Sequence, residues 1–238
     1  MAPSLQATAR VTGVLYACIV VCGIFGEVGV REQLVDRSSA TATAGNILAS
    51  PNLFLAGFVS DIGMIAADVA VAVLFHSLLS TTHATLSLAA MAFRLLQAAT
   101  LAVNLLNHLA AWLIVSGATS SMAGTFDTSQ RHSLVLLLLD VQQHGYDLGL
   151  VFFGINCILT GLLLRSSALI PGPLAWAVLA CGPVYIVGSL VRFVAPQWHS
   201  SVEPAYLLPF VAETFLAVYL IAFGVRTVTG RNADRKGQ

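Results

Sequence analysis

Seven ionisable residues stand inside or at the edges of long apolar stretches of this chain: Glu27, Asp61, Asp68, Arg94, Asp147, Arg192 and Glu213. A charge at mid-bilayer costs roughly 2.5–3.5 kcal/mol on insertion scales, so a charged residue placed there needs a partner or a task. Their neighbours recur at helical spacing. Arg94, Gln97, Asn104 and His108 repeat near seven-residue steps and fall on one stripe. Asp61 and Asp68 lie two turns apart on one face. Asp140, His144 and Asp147 are spaced four and three, and Tyr185, Ser189 and Arg192 repeat that pattern.

Acid–base chemistry is the first use for such a set. A carboxyl group desolvated in an apolar bundle holds its proton more tightly than in water, which suits a general acid. Asp68 and Glu213 are the acid candidates, with Asp147 and His144 as proton donors or positioning groups. His144 is flanked on its face by Asp140 and Asp147, and an acid beside a His fixes its tautomer and raises its basicity. The same three residues with His108 offer oxygen and imidazole ligands for an ion such as zinc. No dense motif such as HExxH accompanies them, so no metal is assigned. His108 alone reads as a helix-to-helix hydrogen-bonding residue. Cys18 and Cys22, four apart, read as small packing residues, with a metal role as the sharper alternative.

Two other uses stay open. Arg94 and Arg192 can pair with Asp61, Asp68 or Glu213 as structural ion pairs that lock helix register. The same acids with Arg192 can also bind a proton or small solute in a carrier or sensor. No Walker loop, Rossmann fingerprint or nucleophile elbow is present, so no cofactor and no nucleotide is expected.

The elements that must position these residues follow from composition. Of 238 residues, 57% are hydrophobic and 9% charged, with 11 basic against 11 acidic side chains. Mean hydropathy is +0.85. Globular proteins are about a quarter charged, so a water-soluble surface is excluded, and zero net charge argues against nucleic-acid binding. A ruler of about 20 apolar residues per span marks six helices. They run Val11 to Val30, Leu53 to Leu79, Thr85 to Val115, Gly145 to Leu164, Pro173 to Ala195 and Tyr206 to Val225. Arg31 to Asn52 reads as a polar loop ending in the helix-start signal Ser50-Pro51-Asn52, and Ser116 to Arg131 as a flexible connection. His132 to Gln143 is an interfacial or re-entrant helix, or an extension of the fourth span, and the extension is favoured. Gly145, Gly149, Gly154 and Gly161 suggest close helix packing, and Pro183 and Pro209 suggest kinks.

These readings predict an all-α, polytopic bundle. Residues 1–10 form an N-terminal segment, residues 11–226 a single six-span domain and residues 227–238 a basic tail. The first helix is read as a retained span and not as a signal peptide. Arg10, Arg165, Arg226, Arg231, Arg235 and Lys236 fall on one side against Arg31, Arg37 and Arg131 on the other, which places both termini in the cytoplasm. Glu27, Asp61, His108, His144, Asp147 and Arg192 then lie toward the outer half, with Asp68, Asn104 and Glu213 nearer the middle. Polar stripes at similar depth must face one another, because facing lipid leaves each charge unpaired. The sequence therefore predicts a polar interior pocket that opens outward, with membrane lipids and a lipid-soluble small molecule as its partners.

Five segments carry a resemblance: ARVTGVLYACIVVCGIFGEVGVRE, NILASPNLFLAGFVSDIGMIAADVAVAVLF, AFRLLQAATLAVNLLN, HGYDLGLVFFGINCILTGLLL and LPFVAETFLAVYL. Together they span nearly the whole chain, which resembles the bacterial membrane-protein family catalogued as domain of unknown function 4386. The resemblance implies a polytopic bacterial membrane protein and brings no catalytic assignment. Glu27, Asp61, Asp68, Arg94, Asn104, His144, Tyr146 and Glu213 all lie in its segments. The bundle also looks loosely similar to small integral-membrane terpene cyclases, an analogy at the level of the fold. With the acids, that analogy points to an intramembrane enzyme acting on an isoprenoid or quinone-like substrate. A purely structural membrane partner is the remaining reading.

Overall fold

A computed structural model describes residues 4–118 and 125–226. The basic tail and part of the Ser116 to Arg131 connection lie outside the described residues. Seven longer helices carry the fold, and among the described residues there is no strand. They are α1 (Leu5–Leu34), α2 (Ala40–Ala49), α3 (Pro51–Leu79), α4 (Ala84–Val115), α5 (Thr128–Ser167), α6 (Gly172–Val194) and α7 (Leu207–Ala222). All but α2 belong to the six segments long and apolar enough to cross a membrane, α7 with a lead-in of short turns from Pro196. The chain is a multi-pass helical membrane protein.

The spans close into a ring. α1 packs on α3, α3 on α4, α4 on α5, α5 on α6, α6 on α7, and α7 returns to α1. Small residues permit the closest crossings. A Cβ on Gly13 would lie 2.8 Å from the backbone nitrogen of Ile221, where α1 meets α7. One on Gly161 would lie 2.6 Å from the Leu179 backbone, where α5 meets α6. Because backbone cannot move aside as a side chain can, Gly161→Ala is expected to destabilise the bundle by about 1–3 kcal/mol. A lowered thermal midpoint in detergent measures this, and an unchanged midpoint counts against so tight a crossing.

Several boundaries differ from the sequence reading. α1 does not stop at Val30: a π-helical stretch, Phe25–Arg31, carries it to Leu34. That wider turn draws Arg31 into the bundle, where it is buried, so Arg31 is not a loop residue. The remaining loop contains α2, whose Ser39 cap accepts from the amide of Ala42. Between α1 and α2, Ser38 donates from its hydroxyl and backbone to Asp36 and holds that carboxyl below its usual range. α3 begins at Pro51, as the Ser-Pro-Asn signal predicts. α5 begins at Thr128 on an Asp127–Gln130 capping box and runs 40 residues, so His132 to Gln143 extends the fourth span. Val135 and Leu139 of that extension are buried with Ile47 and Phe54. Pro183 lies inside α6, whereas Pro209 stands in the first turn of α7, where its missing N–H breaks no helical bond.

The two ends of the ring differ. At the end holding the N-terminus, Val71, Phe75, Leu78, Leu163, Leu216 and Leu220 form an apolar core. Gln6 closes that end by bonding both the carbonyl and the amide of Val225. Gly224 beside it has φ +68, and a Cβ there would sit 1.9 Å from the Gln6 oxygen, so both backbone and space require glycine. At the opposite end a second apolar cluster, with Val30, Leu34, Ile47, Phe54 and Leu139, stands beside a polar cavity.

Candidate functional site

Three ion-pair groups line the interior, each on different helices. The deepest joins α3 to α4. Arg94 donates from Nε (3.0 Å) and Nη2 (2.6 Å) to Oδ1 of Asp68, and Gln97 donates from Nε2 to Oδ2 at 3.1 Å. Arg94 and Asp68 are each only 2% exposed. The guanidinium carbon lies 5.0 Å from the centroids of both the Tyr16 and Phe153 rings. Three donors therefore hold the Asp68 carboxylate in place.

The second group joins α1 to α3. Arg31 donates to Glu27 Oε2 at 2.7 Å and to Asp61 Oδ2 at 2.8 Å. Gly26 makes this possible, since a Cβ there would stand 2.9 Å from both the arginine and Asp61. The third joins α5 to α6. Arg192 Nε lies 2.8 Å from Asp147 Oδ2, an ion contact in which the N–H is not directed at the oxygen. Arg192 also donates from Nη2 to His199 Nε2 at 2.6 Å, which requires that nitrogen to be bare.

Glu213, on α7, stands apart from all three. It accepts from the Tyr185 hydroxyl to Oε1 at 2.7 Å, the Tyr16 hydroxyl also lies against it, and no arginine forms an ion pair with it. Tyr185 in turn packs on Phe153 (5.2 Å between centroids) and edge-on to Tyr206 (5.9 Å). Glu213 is 8% exposed and faces a cavity of about 440 Å³. Met64, Leu150, Phe153 and Phe210 give that chamber apolar walls, and Asp68, Gln97, Tyr185 and Glu213 give it a polar patch. Ile24, Val28 and Phe210 line it while remaining exposed, so the wall between α1 and α7 is not closed.

A second cavity of about 260 Å³ adjoins it toward the end opposite the N-terminus and reaches Arg31, Arg37, Asp147, Arg192 and His199. Gly23, Glu27, Tyr146, Leu150 and Tyr206 border both spaces. The two cavities therefore form a polar vestibule and a mostly apolar chamber, separated by a waist of two tyrosines and Glu27.

The remaining sequence candidates serve the helix seams. Asn104 donates to the Gln142 carbonyl at 2.7 Å, and Gly145 leaves room for its amide. His108 stacks on Phe54 (4.0 Å) and bonds its carbonyl through Nε2 at 3.1 Å. Asp140 turns its side chain outward to Arg37. His144 is exposed and bonds only the Asp140 backbone oxygen, one helical turn back. These residues do not converge on a metal: among the described residues no three His, Cys, Asp or Glu side chains form such a set. Arg94 takes Asp68, one of the pairings the sequence offered, whereas Asp61 goes to Arg31 and Arg192 to Asp147. Sequence reasoning missed Arg31, Tyr16, Phe153, Tyr206 and His199. Only Arg31 carried a signal, its four-residue spacing from Glu27.

A family described as a domain of unknown function (DUF4386) matches residues 11–224, from the second turn of α1 to the residue that ends the fold beyond α7. The chain belongs to this family. The DUF4386 match takes in every ion-pair group and both cavities. No curated protein and no solved structure matches the chain.

Proposed function

We propose that this DUF4386 protein is a multi-pass protein of the cell membrane, with both termini in the cytoplasm, that binds a lipid-soluble, isoprenoid-like molecule. Its chamber holds the molecule's apolar body, and Glu213 exchanges a proton with its polar end. One observation carries this reading. Asp68 is locked by Arg94 and Gln97, whereas Glu213, bonded by tyrosines and by no arginine, faces an apolar-walled cavity that is open between α1 and α7. A general acid needs a carboxyl that is near the substrate and not locked by a permanent counter-ion. Of the four sequence candidates, Glu213 meets both conditions. Asp68 positions the patch, Asp147 anchors Arg192 in the vestibule, and His144 lies on the outer face of α5. A carrier is less well supported, because the end around Leu78, Leu163 and Leu220 is filled by packed side chains.

The test uses the space itself. A Cβ at Gly23 meets only the Met64 sulfur, at 3.7 Å, and Gly23 borders both cavities. Gly23→Leu is therefore expected to fill the waist without strain, and it gains about 1 kcal/mol of helix propensity. Native mass spectrometry of the gently solubilised protein should show a bound lipid-soluble molecule in the parent and its loss in Gly23→Leu, at an unchanged thermal midpoint. A parent that carries no such molecule, or a variant that keeps it, overturns the proposal.

A further inference from the structure

We infer that the molecule taken by this chamber carries a positive charge at its polar end: it is a lipophilic ammonium, held against Glu213 by a wall of aromatic rings. The inference rests on the binding reading above and specifies the ligand's chemistry.

Three independent features point the same way. The first is charge balance. Glu27, Asp61, Asp68 and Glu213 face or border the interior of the α1–α3–α4–α7 side, and only Arg31 and Arg94 answer them. Arg31 serves Glu27 and Asp61, and Arg94 serves Asp68, so Glu213 is the carboxylate with no cation bonded to it. An ionised Glu213 is unstable in a membrane interior without a cation beside it, and a ligand amine that takes the Glu213 proton supplies that cation where the chain does not.

The second feature is the direction of the hydrogen bonds. A carboxylate only accepts, so Gln97 must present its NH₂ to Asp68. Its Oε1 is thereby turned away, is buried, and has no donor; the residue is 4% exposed and lines the chamber. Glu213 beside it takes its hydrogen bonds from neutral phenols, Tyr185 and Tyr16, and none from a cation. The patch thus holds a buried acceptor without a donor, Gln97 Oε1, beside a carboxylate bonded only by phenols, which suits an N–H-bearing or cationic group.

The third feature is the wall. Tyr185, Phe153, Tyr206, Tyr146 and Phe210 line the chamber around Glu213. Ring faces attract a cation within about 6 Å of their centroids, and more strongly once it is desolvated. Phe153 already uses this property, holding Arg94 at 5.0 Å on one face. That guanidinium does not repel a second cation strongly, because Asp68 neutralises it at 2.6 Å. The apolar remainder of the ligand fits along Ile24, Val28 and Met64 toward the gap between α1 and α7.

The experiment compares two probes of one shape in the full-length protein, reconstituted in nanodiscs of digalactosyldiacylglycerol, an uncharged lipid with no ammonium group. Hexyltrimethylammonium carries the charge, and 2,2-dimethyloctane is its neutral isostere. Binding is measured by native mass spectrometry against empty nanodiscs. The cation is expected to bind about tenfold or more tightly than the isostere. Glu213→Gln should erase most of that preference and leave the isostere unchanged. Equal binding of both probes to the parent overturns this inference while leaving the chamber as an apolar binding site. Binding of neither overturns the binding reading as well. The comparison in the parent decides even if Glu213→Gln fails to fold.

Discussion

Arg94→Leu is expected to lower stability by about 3–5 kcal/mol, more than any packing change in the bundle. The size follows from what remains. Asp68 is 2% exposed and would keep a single donor, Gln97, while losing the two bonds of the guanidinium. A charge that deep has no water to fall back on, so its desolvation penalty appears in full. Tyr16 and Phe153 would also lose the cation near their rings. Arg94→Lys should fall between, since an ammonium keeps the charge but neither the fork nor the stacking plane. Replacing both partners, Asp68→Leu with Arg94→Leu, should restore most of the loss by removing the orphaned charge. Thermal unfolding in detergent, followed by size-exclusion fluorescence, reads all three. A double variant no more stable than Arg94→Leu alone would show that the pair is not the source of the effect.

The same pair shows where sequence reading reaches and where it stops. Hydropathy makes the six spans legible, because a helix in lipid has to be apolar along its whole length and nothing tertiary overrides that requirement. Helical periodicity also makes the Arg94–Gln97–Asn104–His108 stripe legible, and all four residues are buried. Periodicity fixes a face but not an axial register between helices. That is why Asp61 pairs with Arg31 and not with Arg94 or Arg192. Arg31 escaped because polar residues after Val30 look like a loop, while a π-helical turn continues the helix and swings its side chain inward. α2 escaped for a different reason: at 10 residues it is half the length that a ruler for membrane spans detects. Tyr16 and Phe153 are ordinary aromatic residues in apolar helices, and only the packing of α1 and α5 against Arg94 reveals their part.

Glu213→Gln carries the largest functional effect. If proton exchange with the bound molecule passes through this carboxyl, its loss should slow turnover by about 10²–10⁴-fold. The substitution is well suited to isolate chemistry from fold. The amide keeps an oxygen for the Tyr185 hydroxyl, which donates at 2.7 Å, and it has the same length and nearly the same volume. It also removes a buried charge that no arginine bonds, so stability should hold or rise, the opposite of Arg94→Leu. Asp68→Asn offers the contrast: it unbalances Arg94 and should cost stability first and activity only as a consequence. Membranes holding each variant are incubated with the extracted membrane lipids, and mass spectrometry follows the consumption of the molecule that co-purifies with the parent. Full turnover by a folded Glu213→Gln protein would remove Glu213 from the chemistry. The chamber would then stand as a binding site whose acid is structural, and the proton-exchange step would have no residue left on its wall that is both exposed to the ligand and unpaired.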